Sequence, residues 1–251
     1  MNTRSNLVKL LGVCIFLGIW QGFAVLSNTR MFPSAVTVFI QLGYLVKSGV
    51  LLENVLSTLS KGIGGLSLAV FAGSLLGIVC ARNRYINAAL NPLIAVLYPI
   101  PKLALYPIVI LIFGLGAWSK IIQVSLECFF PLFVQVYAGT RAIPKSILWL
   151  ASNNQVKGWR LLRDVLLPAL LPSLLTGLRI ATPIMLIVMC VTEFIGESSG
   201  LGYLIVRYSS YFDPASALAI VLTFGLLGLI ADRLIVWTRT KAVFWEKQIK
   251  L

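Results

Sequence analysis

An all-α integral membrane protein with six transmembrane helices is the fold class this sequence predicts. Three observations carry that reading. The chain of 251 residues is 59% apolar, with a mean hydropathy of +0.93. Charged residues make up 12% of it, about half the roughly 25% of a soluble domain, and they cluster. What lies between the clusters is a series of apolar runs of about 20 residues, the length that crosses a hydrocarbon core of about 30 Å. Those runs do not alternate, which excludes the roughly 10-residue dyad-patterned strands of a membrane β-barrel. A single membrane domain over 1–251 is expected.

The elements follow in order. Arg4 and Lys9 precede an apolar stretch to Leu26. It is longer than a signal-peptide core and no A-x-A site follows, so an uncleaved first span at about 7–27 is expected. FPSAVTVFIQLGYLVK (32–47) is too short and polar to span and reads as an interfacial helix starting at Pro33. The second span, about 54–80, holds Gly62, Gly64, Gly65, Gly73 and Gly77. Small residues at this density allow close helix packing in lipid, and Gly73 and Gly77 share a face. The third, about 87–113, contains Pro92, Pro99, Pro101 and Pro107. It is expected to be kinked, with freed carbonyls satisfied by neighbours or a cavity. The fourth, fifth and sixth spans are expected at about 119–139, 169–194 and 214–237.

Lys and Arg set the orientation. With the N-terminus inside, the inner segments hold Arg4, Lys9, Arg82, Arg84, Arg141, Lys145, Lys157, Arg160, Arg163, Arg233, Arg239, Lys241, Lys247 and Lys250. The outer ones hold only Arg30, Lys47, Lys120 and Arg207. That bias places both termini in the cytoplasm of a cell whose inner membrane holds the protein. The net charge of +13 is thereby read as topology and anionic-lipid contact, not as nucleic-acid binding. Cys14, Cys80, Cys128 and Cys190 lie in apolar runs without CxxC spacing, and the chain has no histidine. No metal site, cofactor or catalytic constellation is expected from such a set.

The loop at 141–168 stands out. Pro144 suits a helix start. Leu148, Ala151, Trp159 and Leu162 recur at roughly helical spacing, with cations on other faces. Asn153, Asn154 and Gly158 are turn formers that split the segment into two short helices. Two readings of these residues stay open: an amphipathic helix on the lipid surface, or a docking element for a soluble partner.

NPLIAVLYPIPKLALYPIVILIFGLG (91–116), LLPALLPSLLTGLRIA (166–181), SGLGYLI (199–205) and GLLGLIADRLIVWTRTKAVFW (225–245) follow one another in this order. That order of features resembles the integral-membrane subunit of type I ATP-binding-cassette importers, above all the permeases for nitrate, taurine and alkanesulfonates. The resemblance implies two permease chains lining one pathway, here a homodimer, with a heterodimer as the variant. It also implies two cytoplasmic ATPase subunits docked on the loop helices, and a periplasmic or lipid-anchored solute-binding protein. Transport would proceed by alternating access through a rigid coupling element. No Walker A stretch is present, so ATP and Mg would be used by the partner subunit. The solute implied is a small anion such as nitrate, taurine or a sulfonate, with a vitamin precursor or other small solute as the alternative. A non-transporting membrane scaffold is the reading from another class. The chain departs from the family at the loop, where the family's Glu-Ala-Ala stretch and following Gly fall on Trp149, Leu150, Ala151 and Gln155, of which only Ala151 matches. Turn capacity is expected to have moved to Asn153, Asn154 and Gly158.

Ionisable residues at membrane depth are candidates for function. Lys102 sits amid the prolines of the third span and would attract an anion if it faced the pathway, with Glu127 as its obvious counter-charge. Arg179 and Thr176, on the fifth span, are the other candidates for the pathway. Glu193 is read as a helix-end or external-gate residue. Lys61 is expected to snorkel.

Overall fold

A computed structural model describes residues 3–27, 29 and 31–244, without the side chains of 3–7, 9 and 10. The side chains of Arg4 and Lys9, together with Arg30, Trp245, Lys247 and Lys250, lie outside the described residues. The described chain is helical: α1 Thr3–Ser27, α2 Ala35–Lys47, α3 Val50–Arg82, α4 Arg84–Leu97, α5 Tyr106–Phe113, α6 Ala117–Ala142, α7 Lys145–Asn153, α8 Gly158–Leu161, α9 Leu167–Thr192, α10 Leu201–Ser210 and α11 Pro214–Ala242. A single π turn, Leu162–Leu166, joins α8 to α9, so that Gly158–Thr192 runs as one helix of 35 residues.

Helix ends follow local chemistry. Ser34 caps α2 by accepting from the Thr37 amide at 3.2 Å. Asn83 caps α4 by accepting from the amides of Tyr85 and Ile86 at 2.9 and 3.2 Å. Side-chain oxygens at these positions take up amides that the first helical turn leaves unpaired.

Among the described residues, four helices are long and apolar enough to cross a membrane: α3, α6, the rod ending in α9, and α11. The expected third span is not one kinked helix. It is α4, then a break at Pro99 and Pro101, then a 3₁₀ turn at Lys102–Leu105 leading into α5, and the two arms are bent by 85°. Counted together they make a fifth apolar crossing by length and composition. Two closely spaced prolines remove two amides and clash with the preceding turn, which is why the expected kink became a full break. The first expected span falls on α1, whose described apolar part, Leu11–Ser27, is shorter than these crossings, so the described residues give four or five crossings where six are expected.

The chain divides into two compact units. In the first, Met1–Thr58 with Glu193–Leu226, α1 packs on the start of α2. The Trp20 indole donates to the Pro33 carbonyl at 3.2 Å, and Phe23 meets Phe32 edge-on with ring centres 5.3 Å apart. In the second, Leu59–Thr192 with Leu227–Leu251, α6 lies along α9 and α3 lies on α6. The α3–α6 seam is built on glycine, as its density predicts. A Cβ on Gly65 would come within 2.6 Å of the Ile121 carbonyl, and Cβ atoms on Gly73 and Gly77 would meet α6 backbone at 3.1 Å. Phe129, Phe133 and Tyr137 stack along α6 behind this seam, with centroids 5.9 and 5.8 Å apart.

Candidate coupling loop and translocation elements

The loop at 141–168 holds one short helix, α7, while the second expected short helix is α8, the first turn of the 35-residue helix Gly158–Thr192. The pivot of the turn between them is one residue beyond Asn154. α7 ends at Asn153, after which the Gln155 amide donates to the Ser152 carbonyl at 3.0 Å and the Val156 amide to the Ala151 carbonyl at 2.9 Å. This bond pair is a Schellman motif, whose pivot residue is left-handed and normally glycine. The pivot here is Gln155 itself, at φ +54. Turn capacity has therefore not moved to Asn153 and Asn154: the Gln holds the left-handed position despite its Cβ, at a cost of about 1–2 kcal/mol. Gly158, at φ +57, opens α8.

One side of α7 is spent on the chain's own core. Ala151 is buried, and Leu148 packs with Leu161 and Leu162 on the cluster of Val136, Ile143, Leu166 and Leu170. The other side is open: Trp149 is 67% exposed and Leu150 65%, and Trp159 at the start of α8 is 69% exposed. Lys145, Lys157, Arg160 and Arg163 fringe these residues, all exposed.

Lys102 opens the 3₁₀ turn after the proline break and is 9% exposed. Its ammonium donates to the carbonyls of Tyr98 and Ile100, both at 3.0 Å, and lies 4.3 Å from the centre of the Phe130 ring. The break ends α4 and leaves these carbonyls without helical donors, and a cation at a helix C-terminus takes their place. Glu127, the expected counter-charge, does not hold it. Gln123 completes the break by donating to the Lys102 carbonyl at 2.9 Å.

Arg179 and Thr176 both reach α11. The Arg179 guanidinium pairs with Asp232 through two bonds of 2.6 and 3.4 Å. The Thr176 hydroxyl donates to the Pro172 carbonyl at 2.9 Å and accepts from Arg239 at 3.4 Å. These contacts staple α9 to α11 with polar bonds, which in an apolar medium find few competitors.

Glu193 ends α9 and is 1% exposed. Its carboxylate accepts from the Thr58 hydroxyl at 2.9 and 3.0 Å and from the Gly202 amide at 2.9 Å. The Thr58 hydroxyl in turn accepts from the Leu201 amide at 2.8 Å, and the Asn54 carbonyl oxygen from the Gly200 amide at 2.7 Å. Three side chains thus form a latch on the amides of the N-cap Gly200 and the first two residues of α10. Negative charge at a helix N-terminus is favoured by its dipole. Gly200 has φ +120, and a Cβ there would collide with the Glu193 carboxylate. Two further expectations are corrected by burial. Lys120, read as an outer-loop charge, is fully buried in the first turn of α6 and donates to the Gly116 carbonyl at 3.4 Å. Lys61, expected to snorkel, is buried.

Residues 73–241 match the family of binding-protein-dependent transport system inner membrane components. The chain belongs to that family. It is the permease component of an ABC importer. It is 30% identical to an ABC transporter permease protein of Methanocaldococcus jannaschii, over all of this chain and 96% of the relative. It is 32% identical to the riboflavin transport system permease RibX of Chloroflexus aurantiacus, over 88% of this chain and 86% of the relative. Relatives named for aliphatic sulfonate, nitrate and bicarbonate transport match at 28% identity. The fold is similar to that of a chain in inward-facing crystals of the methionine ABC transporter MetNI, with a TM-score of 0.58 at 20% identity, covering 76% of this chain and 95% of that one.

All the candidate residues of this permease lie in the matched segment. Sequence reasoning missed Asn54, Thr58, Gln123 and Asp232. Asn54 and Thr58 are polar residues four apart on one face of an apolar helix, a signal that could have been read. Asp232 was the acid within reach of Arg179, and only its span assignment hid it.

Proposed function

We propose that this permease forms the translocation pathway of a homodimeric importer and takes up two ATPase subunits through α7 and the turn at Gln155. The observation that carries this is the exposed Trp149–Leu150–Trp159 surface on a pinned basic turn, in a chain that has no nucleotide-binding motif of its own. A lever must be rigid to transmit a closing motion. Here the Schellman bonds and the buried Leu148–Ala151 side supply that rigidity. Both termini and this loop face the cytoplasm on the Lys/Arg bias, and a solute-binding protein delivers solute on the other side.

The solute best supported is a small anion, because relatives named for sulfonate, nitrate and bicarbonate share the scaffold. A heterocyclic vitamin or its precursor is the second reading, favoured by the riboflavin relative and by a formylaminopyrimidine permease of Halalkalibacterium halodurans at 30% identity. Arg179 and Thr176 are the pathway candidates retained, and Glu193 is the positioning residue at the α10 end. The Lys102 ammonium, turned onto backbone carbonyls, is proposed to stabilise the break instead of meeting solute.

Affinity purification of the tagged chain from native membranes tests the coupling. Recovery of an ATP-binding-cassette subunit in equal amount is expected. Recovery of the permease alone, folded and in mild detergent, overturns it. Uptake of labelled sulfonate, nitrate and riboflavin by the reconstituted complex then separates the two solute classes.

A further inference from the structure

We infer that Asp232 is a built-in counter-anion of the pathway, a tethered carboxylate that holds Arg179 until an anionic solute takes its place. This deepens the small-anion reading above and rests on it. The contacts between α9 and α11 run in register. Gly228 lies against Leu186, where an added Cβ would stand 3.5 Å from that side chain. Asp232, one turn further along α11, meets Arg179, and Arg239, two turns beyond that, meets Thr176. Gly228, Asp232 and Arg239 therefore share one face of α11. As numbers rise along α11 they fall along α9, so the two helices are antiparallel.

The ion pair is open on one side: the Arg179 side chain is 55% exposed and that of Asp232 39%. Both residues lie in helices long and apolar enough to cross a membrane. Asp232 is ten residues from the end of α11 at Ala242, about 15 Å along the axis. Ionised side chains at such depth face a bundle interior or a water-filled cavity, because lipid solvates them poorly. In a permease the water-filled cavity is the route of the solute.

Geometry then suggests the task. The Arg179 guanidinium gives donors to both Asp232 oxygens, at 2.6 and 3.4 Å. The same planar fork fits nitrate, bicarbonate or a sulfonate. A lone arginine away from bulk water attracts such an anion strongly. A transit site has to bind well enough to load and weakly enough to release. With Asp232 tethered beside it, the anion enters as the carboxylate leaves, and the returning carboxylate expels it. Arg239, on the Thr176 hydroxyl at 3.4 Å, is the next cation on that face toward the C-terminal end of α11. A plain staple between the helices is the other reading of the pair. It predicts loss of stability when the pair is broken and no change in anion affinity.

The test uses the permease with its co-purifying ATPase subunits in nanodiscs for binding, and the same complex in vesicles with its solute-binding protein for uptake. Labelled nitrate, bicarbonate and ethanesulfonate are the probes, with gluconate holding ionic strength constant. Asp232→Asn keeps the shape and removes the competing charge. It is expected to bind at least one probe about tenfold more tightly than wild type. Uptake of that probe at saturation should fall severalfold, because release is delayed. The swap Arg179→Asp/Asp232→Arg is expected to recover the thermal stability that Arg179→Ala loses. It should still leave uptake at about a tenth of wild type or less, since the cation has moved to the other helix. Unchanged or weaker binding of all three probes by folded Asp232→Asn complex overturns the inference. So does full recovery of uptake by the swap, which makes the pair a staple only. Uptake of none of the three probes by the wild-type importer overturns the small-anion reading itself.

Discussion

The corner joining α7 to α8 and the corner joining α9 to α10 solve the same problem in opposite ways. Each turns the chain between apolar helices, and each has a residue in the left-handed region, Gln155 at φ +54 and Gly200 at φ +120. At the second corner the buried polar side chains are used internally. An acid, a hydroxyl and an amide side chain, all buried, take up the leading amides of α10. At the first corner the Schellman amides and the Asn154 side chain bond the carbonyls that end α7, and two tryptophans and a leucine are left outside. A corner that has only to hold itself together buries its bonding capacity, as the α9–α10 corner does. One that leaves its largest apolar side chains exposed while fixing its backbone at a cost is shaped for something it does not itself contain.

Substitutions can break or sharpen this contrast. The largest effect is expected from Gly200→Ala, which drives a Cβ into the Glu193 carboxylate at a backbone angle hostile to L residues. A loss of about 4 kcal/mol or more is expected in thermal unfolding of the purified permease. Wild-type stability in that variant would mean the latch is looser than described. Thr58→Val is next. It leaves the Leu201 amide buried without an acceptor and removes one donor to Glu193, for about 2 kcal/mol, read in the same assay. At the other corner the sign reverses. Gln155→Gly removes a Cβ from a left-handed position and should stabilise by about 1 kcal/mol, with capture of the ATPase subunit unchanged or improved. A drop in stability would show that the Gln side chain is used. Smallest in stability is Trp149→Ala, expected within about 0.5 kcal/mol of wild type because the side chain is exposed. Its deficit should appear only in subunit capture, the reverse of the Thr58→Val pattern.

Much of this was legible in the sequence where a property is local. Apolar run length located α3, α6, α9 and α11 to within a few residues, and the Gly73–Gly77 spacing named one face of the α3 seam. Proline density marked the break at 99–101, but its size, an 85° bend, depends on Lys102 and Gln123 holding the opened carbonyls. The helix α7 was readable from spacing, whereas the pivot and the continuation of α8 into α9 were not. Composition favours Asn and Gly at such a site, and the structure puts Gln there because the Schellman bonds fix its place in the chain rather than its residue type. The latch was least legible. Thr58 and Glu193 lie 135 residues apart, and no periodicity links them. Lys120 was misread for a related reason: a lysine at the edge of an apolar run looks like a loop charge until the fold encloses it.

The glycine seam between α3 and α6 has a consequence for the gene. At Gly65 a Cβ would sit 2.6 Å from a main-chain carbonyl that no rotamer change can move. Every missense mutation of a glycine codon adds at least that one carbon, so no conservative substitution exists there for drift to sample. Trp149 is under no such restriction from within the molecule. A saturation library selected for growth on the transported solute should therefore return Gly65 almost unvaried. At the Trp149 codon, survivors should depend on which ATPase allele the host carries.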